Sequence, residues 1–154
     1  MCHLVIPYML KQKSGIIINL SGGGSAYARP NFSAYACSKT AVLRLTETLS
    51  SELSGKNIKV FALAPGIVWT DMAKEALVKG KEVLDDRSIS ELTKAKETGG
   101  TQINKLENLV NLFLSKDSKD LSGRLVHVNE LDKIIKNNSR IKAESGLLRR
   151  VDYN

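Results

Sequence analysis

The sequence predicts an α/β fold with a doubly wound parallel sheet. Three short apolar runs, rich in β-branched residues, alternate along the chain with segments whose apolar residues recur at helical spacing. Strands and helices that alternate in this way are typical of βαβ units, in which the strands pair in parallel and helices cover the sheet. Ligands of such sheets bind beyond the carboxyl ends of the strands. The loops that follow the predicted strands are therefore the first candidates for functional residues.

The first predicted elements are a helix, a strand and a loop. Residues 1–12 are apolar and predict a helix that begins abruptly, and Ser14-Gly15 makes the turn that follows it. The run from Gly15 to Leu20 predicts a strand, and its apolar character indicates burial on both faces. The loop of residues 21–25, with the sequence SGGGS, comes directly after this strand.

A long helix and a second strand come next. Ser33 is a candidate N-cap and Gly55 a candidate helix stop. Between them lies one apolar stripe at helical spacing, in which the cysteine is expected to be a small buried side chain: Ala34, Cys37, Ala41, Leu45, Leu49 and Leu53. A buried strand is then predicted from Ile58 to Leu63, and Ala64-Pro65-Gly66 breaks it.

The following segment is polar before the chain becomes apolar again. Residues 71–100 contain helical pieces around 72–79 and 90–96, and Gly99-Gly100 ends the segment. Residues 103–114 then predict an amphipathic helix, because their apolar side chains recur every three or four positions.

The last predicted strand is residues 124–128, and a charged tail follows it. The tail, residues 130–154, is predicted to contain one helix at 130–136, so the domain itself spans residues 1–129. Three strands are few for a doubly wound sheet, and the chain begins within a helical pattern. We therefore expect that the first strands of the domain are missing.

Composition and charge exclude some classes of function and leave others open. The net charge is +7, but the basic residues are spread along the chain and do not alternate with its eight aromatic residues, so a nucleic-acid-binding module is the weaker alternative. Two cysteines and two distant histidines predict neither a disulfide framework nor a metal site. No apolar run suits a membrane span or a signal peptide, and we expect a cytoplasmic protein.

Tyr35 and Lys39 form a candidate acid/base pair near the start of the long helix. Residues four apart lie on one face of a helix, one turn from each other. A free phenol has a pKa of about 10, and a nearby cation stabilises its phenolate form. A surface or packing pair shows the same spacing, so the pattern alone leaves both interpretations open. Its position after a strand and a glycine-rich loop favours the chemical one.

Three segments, in order and at matching spacing, resemble the short-chain dehydrogenases/reductases. IIINLSGGGSAYARPNFSAYACSKTAVLRLTETLSSEL resembles the fifth strand, catalytic loop and following helix of that family. IKVFALAPGIVWTDM resembles the sixth strand with its Pro-Gly segment, and NLVNLFLSKDSKDLSGRLVHVN resembles the last helix and strand. The resemblance covers residues 1–129 and implies the C-terminal part of a Rossmann-like sheet, whose enzymes use NAD or NADP to interconvert a hydroxyl and a carbonyl.

The resemblance also implies roles for individual residues. Tyr35 would exchange a proton with the small-molecule alcohol or carbonyl substrate, and Lys39 would hold the nicotinamide ribose and favour the phenolate form of Tyr35. Pro65, Gly66 and Ile67 would lie along the nicotinamide. Thr70 would reach its carboxamide or the cofactor phosphates, and the stretch after residue 71 would close over the substrate. Complete relatives pair through two long helices, which implies a homodimer or homotetramer through residues 1–12 and 34–54.

This sequence departs from the family pattern at two places. The catalytic serine of the family stands thirteen positions before the tyrosine, and Gly22 occupies that position here. Ser21 is the first candidate to polarise the carbonyl and Ser25 the second, although either could be a turn residue only. The glycine-rich dinucleotide fingerprint does not occur. A non-catalytic remnant without the dinucleotide-binding half is therefore an alternative to an active oxidoreductase.

Overall fold

A three-stranded parallel sheet organises the computed structural model, which describes residues 1–137. The chain forms helices α1 (Cys2–Gln12), α2 (Ser33–Glu52), α3 (Asp71–Lys79), α4 (Asp86–Thr98), α5 (Ile103–Leu114) and α6 (Leu131–Asn137). The strands are β1 (Gly15–Leu20), β2 (Ile58–Ala64) and β3 (Leu125–His127). Within these residues, no helix has both the length and the apolar character that crossing a membrane requires.

The strand β2 lies at the centre of the sheet, between β1 and β3. Its pairing with both neighbours is parallel, with Ile17 opposite Val60 and Leu63 opposite Val126. All residues of β2 except Lys59 are buried. This arrangement confirms the predicted α/β fold with a parallel sheet, because the helical connections after β1 and β2 return the chain to the same end of the sheet.

Helices cover both faces of the sheet, as the doubly wound prediction requires. Side chains of β2 alternate between two hydrophobic cores, because successive residues of a strand point to opposite faces. Ile58 and Val60 pack with residues of α1 and α2. Phe61 and Leu63 pack with residues of α5 and α6, and the Phe61 ring stacks on Phe113 with 4.3 Å between centroids.

The buried face of α2 differs from the stripe that the sequence predicted. Leu49 and Leu53 are buried, but Ala34, Cys37, Ala41 and Leu45 are exposed. A step of four residues turns about 40° beyond one full helical turn, so a stripe at that spacing winds away from the core. The buried side chains are instead Leu43, Thr46, Leu49 and Leu53, and the expectation of a buried cysteine in α2 was wrong.

Three smaller differences concern the ends and edges of elements. Ser33 is the first residue of α2 and not its N-cap, a position that Phe32 occupies without a side-chain hydrogen bond. Only Ile17 of β1 is buried, because β1 lies at the edge of the described sheet. Leu131 of α6 is buried in a core, so the first part of the predicted tail packs on the domain. Residues 138–154 of that tail lie outside the described residues.

Lys59 joins the centre of the sheet to the end of α5. Its ammonium donates to the carbonyl oxygens of Phe113 at 3.2 Å and Ser115 at 2.7 Å, and to the Ser118 hydroxyl at 2.8 Å. The last carbonyl groups of a helix have no partner within it and carry partial negative charge, which a cation satisfies. Desolvation by burial lowers the pKa of Lys59, so these acceptors offset a real cost of placing the charge there.

We expect Lys59→Met to destabilise the fold, because it leaves the end of α5 without its cationic donor. The methionine keeps an apolar stem of similar length, so the loss reports the hydrogen bonds and not packing. We predict a decrease of about 1–3 kcal/mol in the free energy of unfolding, measured by urea denaturation. Lys116→Met, at an exposed position, is the matched control. Equal stability of the two variants would show that Lys59 does not hold α5 in place.

Candidate functional site

The candidate site lies at the carboxyl ends of β1 and β2. The backbone N–H of Ser21 donates to the carbonyl oxygen of Leu63 at 2.8 Å, which continues the parallel pairing beyond β1. The SGGGS loop and the segment of residues 65–70 therefore begin side by side. The first turns of α2 pack against the loop, so chemistry-bearing residues from three parts of the chain lie at one edge of the sheet.

Buried serine hydroxyls hold the glycine-rich loop in its conformation. The Ser21 hydroxyl donates to the Ser25 hydroxyl at 3.0 Å and lies 3.3 Å from the carbonyl oxygen of Lys39. The Ser25 hydroxyl donates to the carbonyl oxygen of Gly22 at 2.7 Å. Both serines are almost fully buried. Their contacts tie the loop to itself and to α2, which supports a positioning role for these two hydroxyls.

The glycines of the loop allow a very close approach by Tyr35. A Cβ atom on Gly22 would lie 2.7 Å from the Tyr35 Oη, and one on Gly24 would lie 3.0 Å from a ring carbon of the same tyrosine. Side chains at these two positions would therefore displace the Tyr35 ring. The residue that stands where the family has its serine thus makes room for the tyrosine hydroxyl.

Lys39 lies one helical turn after Tyr35, as the spacing predicted. Its Nζ is 5.7 Å from the centroid of the Tyr35 ring and donates to the carbonyl oxygen of Leu20 at 3.2 Å. The Leu20 carbonyl ends β1, so the ammonium is held between the strand end and the phenol. The Tyr35 Oη makes no hydrogen bond within residues 1–137, which leaves its proton available to a ligand.

The segment after β2 is fixed by residues that follow α4. Gly66 has a φ of 74°, and a Cβ atom there would lie 2.5 Å from the Thr101 hydroxyl. The backbone N–H of Thr101 donates to the carbonyl oxygen of Ile67 at 2.7 Å, next to an antiparallel bridge between Val68 and Gly100. These contacts join the two ends of the segment of residues 67–101, which contains α3 and α4. The segment that is predicted to face the nicotinamide is therefore anchored.

Thr70 precedes the first residue of α3 and caps that helix. Its hydroxyl accepts a hydrogen bond from the backbone N–H of Ala73 at 3.4 Å, which makes it the N-cap of that helix. The hydroxyl proton remains free to donate. The pKa of the Asp71 carboxyl is lowered, because Lys74 donates a hydrogen bond to it and its positive charge attracts the carboxylate. Thr70 therefore keeps one hydroxyl donor that its capping contact does not use.

The structure brings together most of the residues that the sequence selected. Ser21, Tyr35 and Lys39 surround one loop, and Pro65, Gly66 and Ile67 follow the neighbouring strand. Tyr27 and Thr101 were not among the residues selected from the sequence, because neither belongs to a periodic pattern. Tyr27 lies against Gly23 and Thr101 against Gly66, and only the folded chain shows these close approaches. Among residues 1–137, no cluster of three His, Cys, Asp or Glu side chains suits a metal ion.

Comparison with known proteins agrees with this geometry. The sequence model of the short chain dehydrogenases matches residues 1–80. The 3-oxoacyl-[acyl-carrier-protein] reductase of Thermotoga maritima is 41% identical over 80 residues, which are 52% of this chain and 32% of that protein. The enzyme of the same name from Staphylococcus aureus strain N315 is 34% identical over 123 residues, which are 80% of this chain and 47% of that protein.

Solved structures show the same fold at similar coverage. A gluconate 5-dehydrogenase from Burkholderia cenocepacia in complex with NADP and tartrate is 28% identical, with a TM-score of 0.66 over 86% of this chain and 50% of that one. A levodione reductase, at 24% identity and a TM-score of 0.66, covers 82% of this chain and 49% of that one and shows the fold alone. The chain thus spans about half the length of most of these relatives.

We expect Ser25→Ala to loosen the glycine-rich loop, because the variant removes the acceptor of Ser21 and the donor to Gly22. The free energy of unfolding should fall by about 1–2 kcal/mol in urea denaturation. Amide hydrogen exchange at Ala26 and Tyr27 should also become faster. Ser54→Ala, which removes an exposed hydroxyl, is the control. If Ser25→Ala matches the wild type in both measurements, the buried hydroxyls do not organise the loop.

Proposed function

This chain belongs to the short-chain dehydrogenase/reductase family, and from that membership we propose that it carries the catalytic centre of an NAD(P)-dependent oxidoreductase. The reaction interconverts a hydroxyl and a carbonyl group of a small molecule. The observation that carries the proposal is the placement of Tyr35, whose hydroxyl lies against Gly22 and is free of protein partners within the described residues. The Lys39 ammonium lies beside the same ring.

Tyr35 is the proposed acid/base of this reaction. During reduction its hydroxyl gives a proton to the oxygen of the substrate carbonyl, and during oxidation its phenolate takes the proton of the substrate hydroxyl. The Lys39 ammonium donates to the Leu20 carbonyl and lies 5.7 Å from the centre of the Tyr35 ring, so a positive charge stands beside the proposed acid/base. The glycine-rich loop keeps the phenol in place and admits no side chain between Tyr35 and the backbone of Gly22.

The residues present fit the nicotinamide and ribose end of a dinucleotide. Lys39 has one protein acceptor, Leu20, and therefore two N–H groups to offer to ribose hydroxyls. Pro65, Gly66 and Ile67 form an anchored segment beside it, and Thr70 has a free hydroxyl proton. When bound, the nicotinamide supplies or accepts the hydride. We infer NAD or NADP as the cofactor, in line with the NADP in the gluconate 5-dehydrogenase structure.

The pyrophosphate end of a dinucleotide finds no matching feature in this sequence. Such sites use a glycine-rich turn that opens a helix after a strand, and the GxGxxG pattern does not occur. The SGGGS loop is closed by its own serine contacts and has Tyr35 packed against it. This feature favours the second candidate, a remnant that does not bind a complete cofactor.

Ser21 is not part of the mechanism that the geometry supports best. The sequence selects it as the group that polarises the carbonyl, and that role remains a prediction. Its hydroxyl is buried and already bonded to Ser25, so it would have to leave that contact to meet a substrate. The buried contacts support a different role, in which Ser21 positions the loop and, through the carbonyl of Lys39, the first turns of α2.

A homodimer or homotetramer is the proposed assembly. The faces of α1 and α2 that point away from the sheet carry exposed apolar side chains, including Leu4 at 65% exposure and Leu45 at 45%. Apolar side chains that the monomer leaves in water support association between copies through these helices. The expectation that the protein binds neither nucleic acid nor membranes stays a prediction, and a binding affinity that falls steeply with salt would contradict its nucleic-acid part.

Tyr35→Phe should abolish proton transfer and leave cofactor affinity almost unchanged. We predict a loss in turnover on the order of a hundredfold or more. The assay uses this chain fused behind the part of the Thermotoga maritima reductase that precedes its 80 matched residues, with a 3-oxoacyl thioester as substrate. Tyr8→Phe, on the exposed side of α1, is the matched control. Near-normal turnover of Tyr35→Phe would remove the tyrosine from the chemistry.

Lys39→Ala should weaken cofactor binding and move the pH profile of the oxidation. Oxidation requires a group that accepts the proton of the substrate hydroxyl, and a cation beside a phenol favours the proton-accepting form. The rising limb of the rate therefore shifts to higher pH, as a series of initial rates in the same fusion measures. Lys56→Ala, in the exposed turn after α2, controls for the loss of one charge. An unchanged profile together with unchanged cofactor affinity would contradict the assigned role of Lys39.

The isolated chain should bind NAD(H) and NADP(H) weakly or not at all, since it lacks a pyrophosphate turn. Calorimetric titration measures this, with nicotinamide fluorescence as an independent readout for the reduced forms. Dissociation constants in the micromolar range for either cofactor would show that this chain holds the whole dinucleotide. Such a result would also remove the non-catalytic remnant as an alternative.

A further inference from the structure

A tight turn of residues 29–32 connects the glycine-rich loop to α2. The backbone N–H of Phe32 donates to the carbonyl oxygen of Arg29 at 3.1 Å, which closes the turn. Pro30 stands at its second position and Asn31, with a φ of 65°, at its third. Both residue types favour such turns, because proline presets φ and asparagine tolerates the left-handed region. The turn therefore fixes where Arg29 and Phe32 lie relative to the start of α2.

Two ring contacts connect Arg29 to Tyr35. The Arg29 Cζ lies 5.6 Å from the centroid of the Phe32 ring, within the range of a cation–π contact. The Phe32 ring meets the Tyr35 ring edge to face, with 6.3 Å between centroids and 79° between planes. All three side chains are partly buried. The position of the Tyr35 ring therefore depends on where Phe32 and Arg29 lie.

Arg29 also faces the start of α4 across a small cavity. Residues 27–30 line one side of the cavity, and residues at the beginning of α4, including Asp85, line the other. Asp85 is the N-cap of α4, and its carboxylate accepts a hydrogen bond from the backbone N–H of Ser88 at 2.7 Å. The pKa of Asp85 is lowered, by hydrogen bonds from Ser88 first and also by the positive charge of Arg29. The carboxylate is thus held in place with the Arg29 guanidinium in electrostatic range.

The other charged residues at this end of α4 pair with each other or with a neighbouring lysine. Arg87 donates to the Glu91 carboxylate at 2.9 Å, an ion pair between residues four apart on one helix. Asp86 pairs with Lys81 at 3.1 Å. Asp85 is therefore the carboxylate at the start of α4 that is left to face Arg29.

We propose that Arg29 is a positioning residue, through which the start of α4 sets the position of the Tyr35 ring. The inference rests on the proposed oxidoreductase function, in which Tyr35 is the acid/base. Asp85 holds the Arg29 guanidinium on the Phe32 ring, and Phe32 supports the Tyr35 ring. Because α4 belongs to the segment of residues 67–101, the cover that the sequence predicts for the substrate and the placement of the phenol depend on one chain of contacts.

The pair of Arg29 and Asp85 acts on geometry more than on stability. An exposed ion pair adds little to the free energy of unfolding, because water and salt screen it. Turnover is more sensitive, since a displacement of about 1 Å in a catalytic group can cost about a hundredfold in rate. Neutralising either residue should therefore change the Tyr35 ring signals and turnover while the free energy of unfolding stays close to that of the wild type.

The test follows the Tyr35 ring by NMR in the 154-residue chain with 13C-labelled tyrosine, and Tyr35→Phe assigns its signals. These signals depend on Phe32, since an aromatic ring shifts the resonances of groups close to it. Arg29→Gln and Asp85→Asn should each move the Tyr35 ring signals, and the double variant should move them no further. Asp85→Asn keeps the helix cap, because asparagine caps as well as aspartate. Asp86→Asn, which removes the same charge from the first turn of α4, is the matched control and should leave the signals in place.

Two further readouts separate a positioning role from a purely structural contact. Sodium chloride screens exposed charges, so adding it should move the wild-type Tyr35 signals toward those of Arg29→Gln and leave the signals of that variant unchanged. In the fusion with the Thermotoga maritima segment, Arg29→Gln should lower kcat by roughly tenfold or more, while cofactor affinity stays close to that of the wild type. Arg29→Lys, which keeps the positive charge, should restore most of kcat.

The outcomes distinguish this proposal from the function on which it rests. Tyr35 signals that stay in place in both Arg29→Gln and Asp85→Asn overturn the inference, and the oxidoreductase site stands if Tyr35→Phe still abolishes turnover. Signals that respond to Arg29→Gln alone show that α4 does not hold the arginine, which also overturns it. If the signals move but Arg29→Gln keeps the wild-type kcat, the contact is structural only and the positioning role is wrong. Near-normal turnover of Tyr35→Phe would contradict the proposed function itself, and with it any catalytic role of Arg29.

Discussion

The contact between the glycine-rich loop and the Tyr35 ring is the constraint on which the site depends. Gly22 and Gly24 bring the backbone so close to the ring that a side chain at either position would collide with it. The buried hydroxyls of Ser21 and Ser25 hold the loop in the conformation that makes this approach possible. Ser21 also contacts the carbonyl oxygen of Lys39. The same hydrogen bonds therefore help to position the backbone of Lys39, whose side chain extends to the end of β1.

The sheet places the glycine-rich loop next to the loop that follows β2. The buried strand β2 packs its alternate side chains into two cores, so helices on both faces hold it rigidly. Its parallel pairing with β1 starts the glycine-rich loop beside the Gly66 segment. Lys59 adds a link from β2 to the end of α5, opposite the face that carries α2. The edge where the two loops meet therefore follows a strand that is packed on both faces.

The sequence predicted the fold closely and the site in part. Strand β1 and helix α5 have the predicted bounds, because an apolar run and a helical period depend on local spacing. The buried face of α2 was wrong, since spacing alone does not show which side meets the sheet. The contacts of Ser21 and of Tyr27 depend on how the glycine-rich loop turns. Glycines admit many backbone conformations, so their sequence does not determine which hydroxyl becomes buried and which stays free.

We propose that the ends of β1 and β2, with Tyr35 and Lys39, form the nicotinamide end of a cofactor site. Nicotinamide mononucleotide tests it most directly, because this ligand lacks the adenosine half for which the chain has no turn. Titration of the 15N-labelled chain should shift the amide signals of Lys39, Gly66 and Ile67 together, with one dissociation constant. Shifts confined to the outer face of α2, at Thr48 and Ser51, or no shifts at saturating ligand, would contradict the account.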